Sequence, residues 1–125
     1  MEQPSESQLE ILQVLWEHEP ATVRFIHEEL VKRKEVQYTT TLKQIQRMTQ
    51  KGMVKAEKDG RSYTYTTIIK EGQVKKSLID RLVEGAFKGS AIELAIHALG
   101  QSKPTDDELD QLKKWLEDKK KEDKK

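Results

Sequence analysis

Thr40, Lys43, Gln44, Arg47 and Gln50 recur three and four residues apart, so on a helix they share one side, and that side carries no carboxylate. Lysine and arginine there can neutralise phosphates or bond to guanine O6 and N7, while threonine can bond a phosphate and lay its methyl group on thymine. Downstream, Lys55, Lys58 and Arg61 surround an Asp59-Gly60 pair, which places cations near the tip of a hairpin. Such a tip suits phosphate, where position is fixed but sequence is not read. A polar, positive helix face is also what an ordinary solvated face looks like, so the order of the surrounding elements decides between the two.

Other chemistry is poorly provided for. His18, His27 and His97 are scattered, with no HExxH pattern and no Gly-rich phosphate loop, and they suit packing or surface roles. Ser5, Ser7 and Ser90 lack a nucleophile elbow. Asp106, Asp107, Glu108 and Asp110 fall in a first helical turn, where carboxylates complement the helix dipole. These residues predict no enzyme, no cofactor and no metal site.

The elements that must position the basic face follow from caps and periodicity. Ser7 with Glu10 forms a capping-box pattern ahead of Leu9, Leu12, Leu15 and Trp16, predicting a helix from about 7 to 18 that Pro20 stops. Thr22 caps a second helix carrying Val23, Ile26, Leu30 and Val31 and ending near Lys34. Tyr38 to Lys51 predicts a third, with Tyr38, Thr41 or Leu42, Ile45 and Met48 inward and Gly52 at its C-terminal end. Strands are expected over Met53 to Glu57 and Ser62 to Ile68. Beyond Lys70 all periodicity is helical, with Gly85 and Gly89 separating two stretches and Thr105 with Glu108 capping a last helix; Asp118 to Lys125 reads as a solvated, fraying tail.

Three short helices and a hairpin is the order of a winged helix, whose third helix enters the DNA major groove. The charge distribution agrees. A net charge of +1 over 125 residues conceals five acids and no base in residues 1 to 23, 11 bases against 5 acids in residues 24 to 70, and 12 of each in residues 71 to 125. Local field, not net charge, sets what a surface attracts.

With 34% hydrophobic and 36% charged residues, the chain can form only a thin core, which predicts completion of burial by a second copy. Leu78, Leu82, Phe87, Leu94, Leu99, Leu109, Leu112, Trp115 and Leu116 form the stripes expected at that interface, and Trp16 and Trp115 read as packing residues. The absence of cysteine and of any long apolar run or signal-peptide pattern predicts a cytoplasmic protein.

The run Tyr38-Thr39-Thr40-Thr41-Leu42 through Arg47-Met48, with Lys51-Gly52-Met53-Val54 and Gly60-Arg61-Ser62-Tyr63-Thr64-Tyr65, resembles the BlaI/MecI/CopY family of bacterial repressors, as does Asp80-Arg81-Leu82 with Phe87, Gly89 and Ser90. The resemblance spans roughly residues 6 to 118 and implies a homodimer that represses transcription from a palindromic operator. It places the recognition helix on Thr39 to Lys51, with Thr40, Lys43 and Arg47 facing DNA and Arg61 and Ser62 on the wing. The paired cysteines of copper-responsive members are missing. β-lactam-responsive members are cut in the C-terminal domain by a membrane sensor protease, often at an Asn-Phe bond; the matching helix here reads Ile92-Glu93-Leu94-Ala95-Ile96-His97, and the chain has no Asn.

The expectation is therefore a mainly α protein with a small β-hairpin: a winged helix-turn-helix DNA-binding domain over 1–70 and a helical dimerisation domain over 71–125 ending in a disordered charged tail. Double-stranded DNA and a second copy are the expected partners. The competing expectation is a winged helix whose basic face meets an acidic protein.

Overall fold

The structure, a computed structural model, describes residues 3–123, so Glu2 at the front and Lys124 and Lys125 at the end of the expected tail lie outside the described residues. The described elements run α1 (Glu6–His18), α2 (Val23–Val31), α3 (Tyr38–Gln50), β1 (Val54–Asp59), β2 (Ser62–Thr67), α4 (Glu71–Ala86), α5 (Ala91–Gln101) and α6 (Asp106–Asp123). This is a mainly helical chain with one antiparallel hairpin, a winged helix followed by a helical C-terminal part. It divides into two compact units, Met1–Ile79 and Asp80–Lys125, the division falling inside α4.

In the first unit the helix ends are made by local hydrogen bonds. Ser5, not Ser7, caps α1: the Gln8 amide donates to Ser5 Oγ at 3.2 Å, and the Ser5 amide donates to Gln8 Oε1 at 2.9 Å. The expected Glu10 is engaged elsewhere, accepting from Lys34 Nζ at 2.7 Å, and a glutamine closes the box as well as a glutamate. Thr22 caps α2 as expected, accepting from the Phe25 amide at 3.1 Å. That helix ends at Val31, earlier than Lys34, because Arg33 and Lys34 both donate to the Leu30 carbonyl in a tightening turn.

The end of α3 is a complete Schellman motif. The Met53 amide donates to the Met48 carbonyl at 2.9 Å and the Gly52 amide to the Thr49 carbonyl at 3.2 Å, with Gly52 at φ +78°. Met48 and Met53, the pair that this motif brings together, are both buried. The hairpin begins at once, so its root is set by the end of the helix. Its strands pair Val54 with Thr67 at the root and Asp59 with Ser62 at the tip, leaving Gly60-Arg61 as the two-residue loop. Gly60 at φ +64° in the first loop position fits a type II′ turn, one residue beyond the expected Asp59-Gly60 centre.

The core of this unit gathers Ile11, Leu12, Val14 and Leu15 of α1, Ile26 and Leu30 of α2, Ile45 and Met48 of α3, and Val54 and Tyr65 of the hairpin. Trp16 packs against it and donates from Nε1 to the Ile69 carbonyl at 3.2 Å. A further link was not evident from local pattern. Ala21, between α1 and α2, bridges Tyr65 in antiparallel fashion, with amide-to-carbonyl distances of 3.2 and 2.8 Å.

In the second unit Gly85 lies inside α4 and does not separate two helices; the break comes at Lys88 and Gly89, both with positive φ. Ser90 caps α5, and Thr105 with Glu108 forms the expected capping box before α6. α6 continues through Asp118 to Asp123, where a tail was expected, and Lys119 pairs with Glu122 across one turn. Neither α5 nor α6 contributes a buried residue.

Candidate nucleic-acid interface

The buried stripe of α3 is Thr41, Ile45 and Met48, and it fixes which side faces outward. Thr41 is inward despite its hydroxyl because that group pairs with His27 Nδ1 at 3.0 Å; Leu42 is only half-buried. Tyr38, expected inward, is exposed, its ring meeting His27 edge-on at 5.4 Å between centroids. Opposite the stripe stand Thr39, Lys43, Arg47 and Gln50, all exposed, with Thr40 at one margin.

Two glutamines exchange roles relative to the expectation. Gln44 is half-buried and accepts from Gln8 Nε2 of α1 at 3.4 Å, so the core side holds it. Gln46, not singled out from the sequence, is exposed on the outward ridge Thr39-Lys43-Gln46-Gln50. The signal was available: Gln46 lies three residues after Lys43 and four before Gln50.

The hairpin sorts its cations by pleat. Lys58 lies opposite Tyr63 on the face shared with Val54 and Tyr65, whereas Lys55 lies opposite Thr66 on the other face and near the root. Lys55 is therefore not part of the tip; its Nζ is 3.5 Å from Glu57 Oε1. Arg61 occupies the loop, and the exposed Ser62 donates from Oγ to the Asp59 carbonyl at 3.2 Å.

The outward side of α3 and the hairpin tip carry cations but, among the described residues, no paired carboxylate. Among the described residues Lys43, Arg47, Lys58 and Arg61 form no ion pair, while Lys32 and Lys34 at the end of α2 are paired with Glu29 and Glu10. Unneutralised cations on a helix face and on the adjoining hairpin tip make a surface that attracts polyanions. Burial, together with the neighbouring Tyr63 and Tyr38 phenols, pushes the Tyr65 phenol above its ordinary value. Among the described residues no group of three metal-ligating side chains gathers, and no helix is long and apolar enough to cross a membrane.

The residues expected at a dimer interface are distributed over both units. Leu78 falls in the first and is half-buried, as are Phe87, Leu94 and Leu112 of the second. Leu82, Leu99, Leu109, Trp115 and Leu116 are exposed, Trp115 by 57%. Ile92 and Ile96 of α5, absent from the expected set, are more exposed still, at 71% and 66%.

Comparison with known proteins gives the following. The sequence pattern of a family described as penicillinase repressor matches residues 4–118. The transcriptional regulator BlaI of Mycobacterium tuberculosis is 30% identical over 108 residues, covering 85% of this chain and 77% of its own. The methicillin resistance regulatory protein MecI of Staphylococcus aureus is 23% identical over 112 residues, covering 90% and 91%. The penicillinase repressor of Bacillus licheniformis is 24% identical over 116 residues, covering 93% and 91%.

Proposed function

Because the chain belongs to the penicillinase repressor family, we propose that it is a DNA-binding transcriptional repressor, without catalytic activity, that acts in the cytoplasm as a homodimer on a palindromic operator. The observation that carries this reading is the set Lys43, Arg47, Lys58 and Arg61, exposed on a reading helix and its wing with no ion-pair partner among the described residues. Thr39, Thr40, Gln46 and Gln50 supply neutral hydrogen-bonding groups beside those cations, the mixture that base edges and phosphates both require. Ser62 joins them on the wing.

Dimerisation is supported by the second unit, where α5 and α6 bury none of their residues and leave Ile92, Ile96 and Trp115 to solvent. Ile92 and Ile96 lie one turn apart on α5, and large apolar side chains left exposed on a helix face favour a partner that covers them. Two reading helices related by a twofold axis bind two half-sites, so the operator would be an inverted repeat. The dimer makes the second half-site contact intramolecular, and weakening the clasp lowers occupancy without touching a DNA contact. A cut in the second unit by a membrane sensor protease would end repression by that route.

Selection of bound sequences from a random duplex pool by the full chain tests the reading. Enrichment of inverted repeats with a fixed spacing is the expected result. Enrichment of single half-sites would remove the dimer from the proposal. Failure to retain any duplex at low salt would leave the basic face to an acidic protein partner.

A further inference from the structure

A groove of about 370 Å³ lies beside the outward face of α3, bounded by the start of α2, the start of α3 and β2. Arg24, Tyr38, Leu42, Tyr63 and Tyr65 line it, and Arg24 is its only charged residue. Three other surface cavities each include a carboxylate, from Glu108, Glu35 or Glu93. Here there is none.

Three further facts bear on what this groove accepts. Arg24 is exposed and forms no ion pair among the described residues. Lys58 pairs across the hairpin with Tyr63, so a second unpaired cation stands on the same strand face as two of the lining tyrosines. Tyr38 and Tyr63 are about half exposed, at 44% and 53%, which leaves both an aromatic wall and a hydroxyl within reach of a ligand.

We propose that this groove is a seat for one phosphodiester of the DNA backbone, with the Arg24 guanidinium meeting the phosphate and the Tyr63 hydroxyl donating to it. The seat rests on the reading of α3 as the helix that enters the major groove. Tyr38 and Leu42 form the flank of α3 next to the ridge that carries Thr39, Lys43 and Gln46, so the groove borders the reading face on the wing side. A duplex whose major groove holds α3 carries one of its backbones over that border. Guanidinium geometry suits phosphate oxygens, and the apolar wall of Leu42 and the tyrosine rings suits the deoxyribose beside them. The groove's tyrosine phenols are neutral near neutral pH and no carboxylate lines it, so no charge in the lining repels an anion. Phosphate contacts of this kind fix register without reading sequence.

The test uses the full chain, a duplex recovered by selection, an unrelated duplex of equal length, and a range of salt concentrations. Arg24→Ala is expected to weaken both duplexes by the same factor and to reduce the slope of log affinity against log salt by about 0.9, the signature of one lost phosphate contact. Arg24→Lys restores the slope, because the charge returns. Tyr63→Phe weakens both duplexes severalfold with the slope unchanged. Lys55→Ala, on the opposite hairpin face and paired with Glu57, leaves both affinity and slope as they are. Circular dichroism and the thermal midpoint confirm that each variant folds. An unchanged slope in Arg24→Ala, while the parent protein still binds the selected duplex, overturns the seat and leaves the DNA reading standing. A loss confined to the selected duplex also overturns it, since that would be base reading. If the parent protein binds neither duplex at low salt, the DNA reading falls and the seat falls with it.

Discussion

The Glu19 carboxylate clasps Thr67 three times: Oε1 accepts from the Thr67 amide at 2.8 Å, and the Thr67 hydroxyl lies 3.1 and 3.0 Å from Oε1 and Oε2. The residue that ends α1 thereby fastens the last residue of the hairpin. Hydrogen bonds to a charged acceptor contribute about 1.5–3 kcal/mol each, less where the acceptor touches water. Glu19→Ala is therefore expected to lower unfolding free energy by about 1–3 kcal/mol in urea titration, and Glu19→Gln by less. A change under about 0.5 kcal/mol would show the clasp to be dispensable.

Lys43 stands on the outward ridge, Arg47 beside it on the same exposed side, and Lys58 on the wing. Alanine at Arg47 or Lys43 should weaken binding to a selected operator by about 1–3 kcal/mol where a bidentate base contact is lost. Lys58→Ala should weaken all duplexes alike and flatten the salt dependence. Titrations by fluorescence anisotropy at fixed salt separate the two behaviours, and unchanged affinity in both α3 variants would sink their assignment.

Trp115 is 57% exposed on α6, with Lys119 Nζ 5.8 Å above its ring. If a second copy covers that face, Trp115 has the residue type and the position of an anchor, and Trp115→Ala should weaken the dimer by about 2 kcal/mol or more. Little of the single chain's own packing depends on it, so helicity should persist. Sedimentation equilibrium reads the dissociation constant; an unaltered dimer would move the interface elsewhere.

The raised Tyr65 phenol has a stability consequence with a definite sign. Between the unfolded value of about 10 and the higher folded value, the folded chain holds a proton that the unfolded chain has released. Its contribution is complete below about pH 10 and is lost as pH rises through the folded value. Tyr65→Phe should remove part of the fall in stability above pH 10 while leaving the shape near neutrality unaltered. An identical alkaline limb in parent and variant would refute this.

Helix count, hairpin and the caps of α2 and α6 were legible because each is written within a few residues: Thr22 before Phe25, Thr105 before Glu108, Gly60 between a Lys-bearing and a Thr-bearing strand. What escaped depended on contacts distant in sequence. Gln44 and Tyr38 changed sides because Gln8 and His27, on other helices, engage one and support the other. Gln46 was missed although its spacing to Lys43 and Gln50 was already enough to find it. The Ser5 cap was missed for a different reason: two serines precede the first apolar residue and each has a box partner three residues on, Gln8 or Glu10, so the local pattern fits both, and the bonds formed are those of Ser5 with Gln8. Position 85 misled for the opposite reason: a glycine is tolerated inside α4 where the neighbouring residues continue the helix.

The bridge between Ala21 and Tyr65 changes what kind of object the wing is. A two-stranded hairpin alone is at best marginally ordered in water. Here its inner strand is paired on both edges, to β1 on one side and to the α1–α2 connection on the other, and Tyr65 lies in the helical core. The wing root cannot detach without disturbing the core, so it shares the cooperativity of the three helices, while the loop at Gly60-Arg61 is left to open locally. In free-energy terms the contacts at the wing are preorganised: binding orders only the tip, and the entropy of arranging the rest is spent when the chain folds.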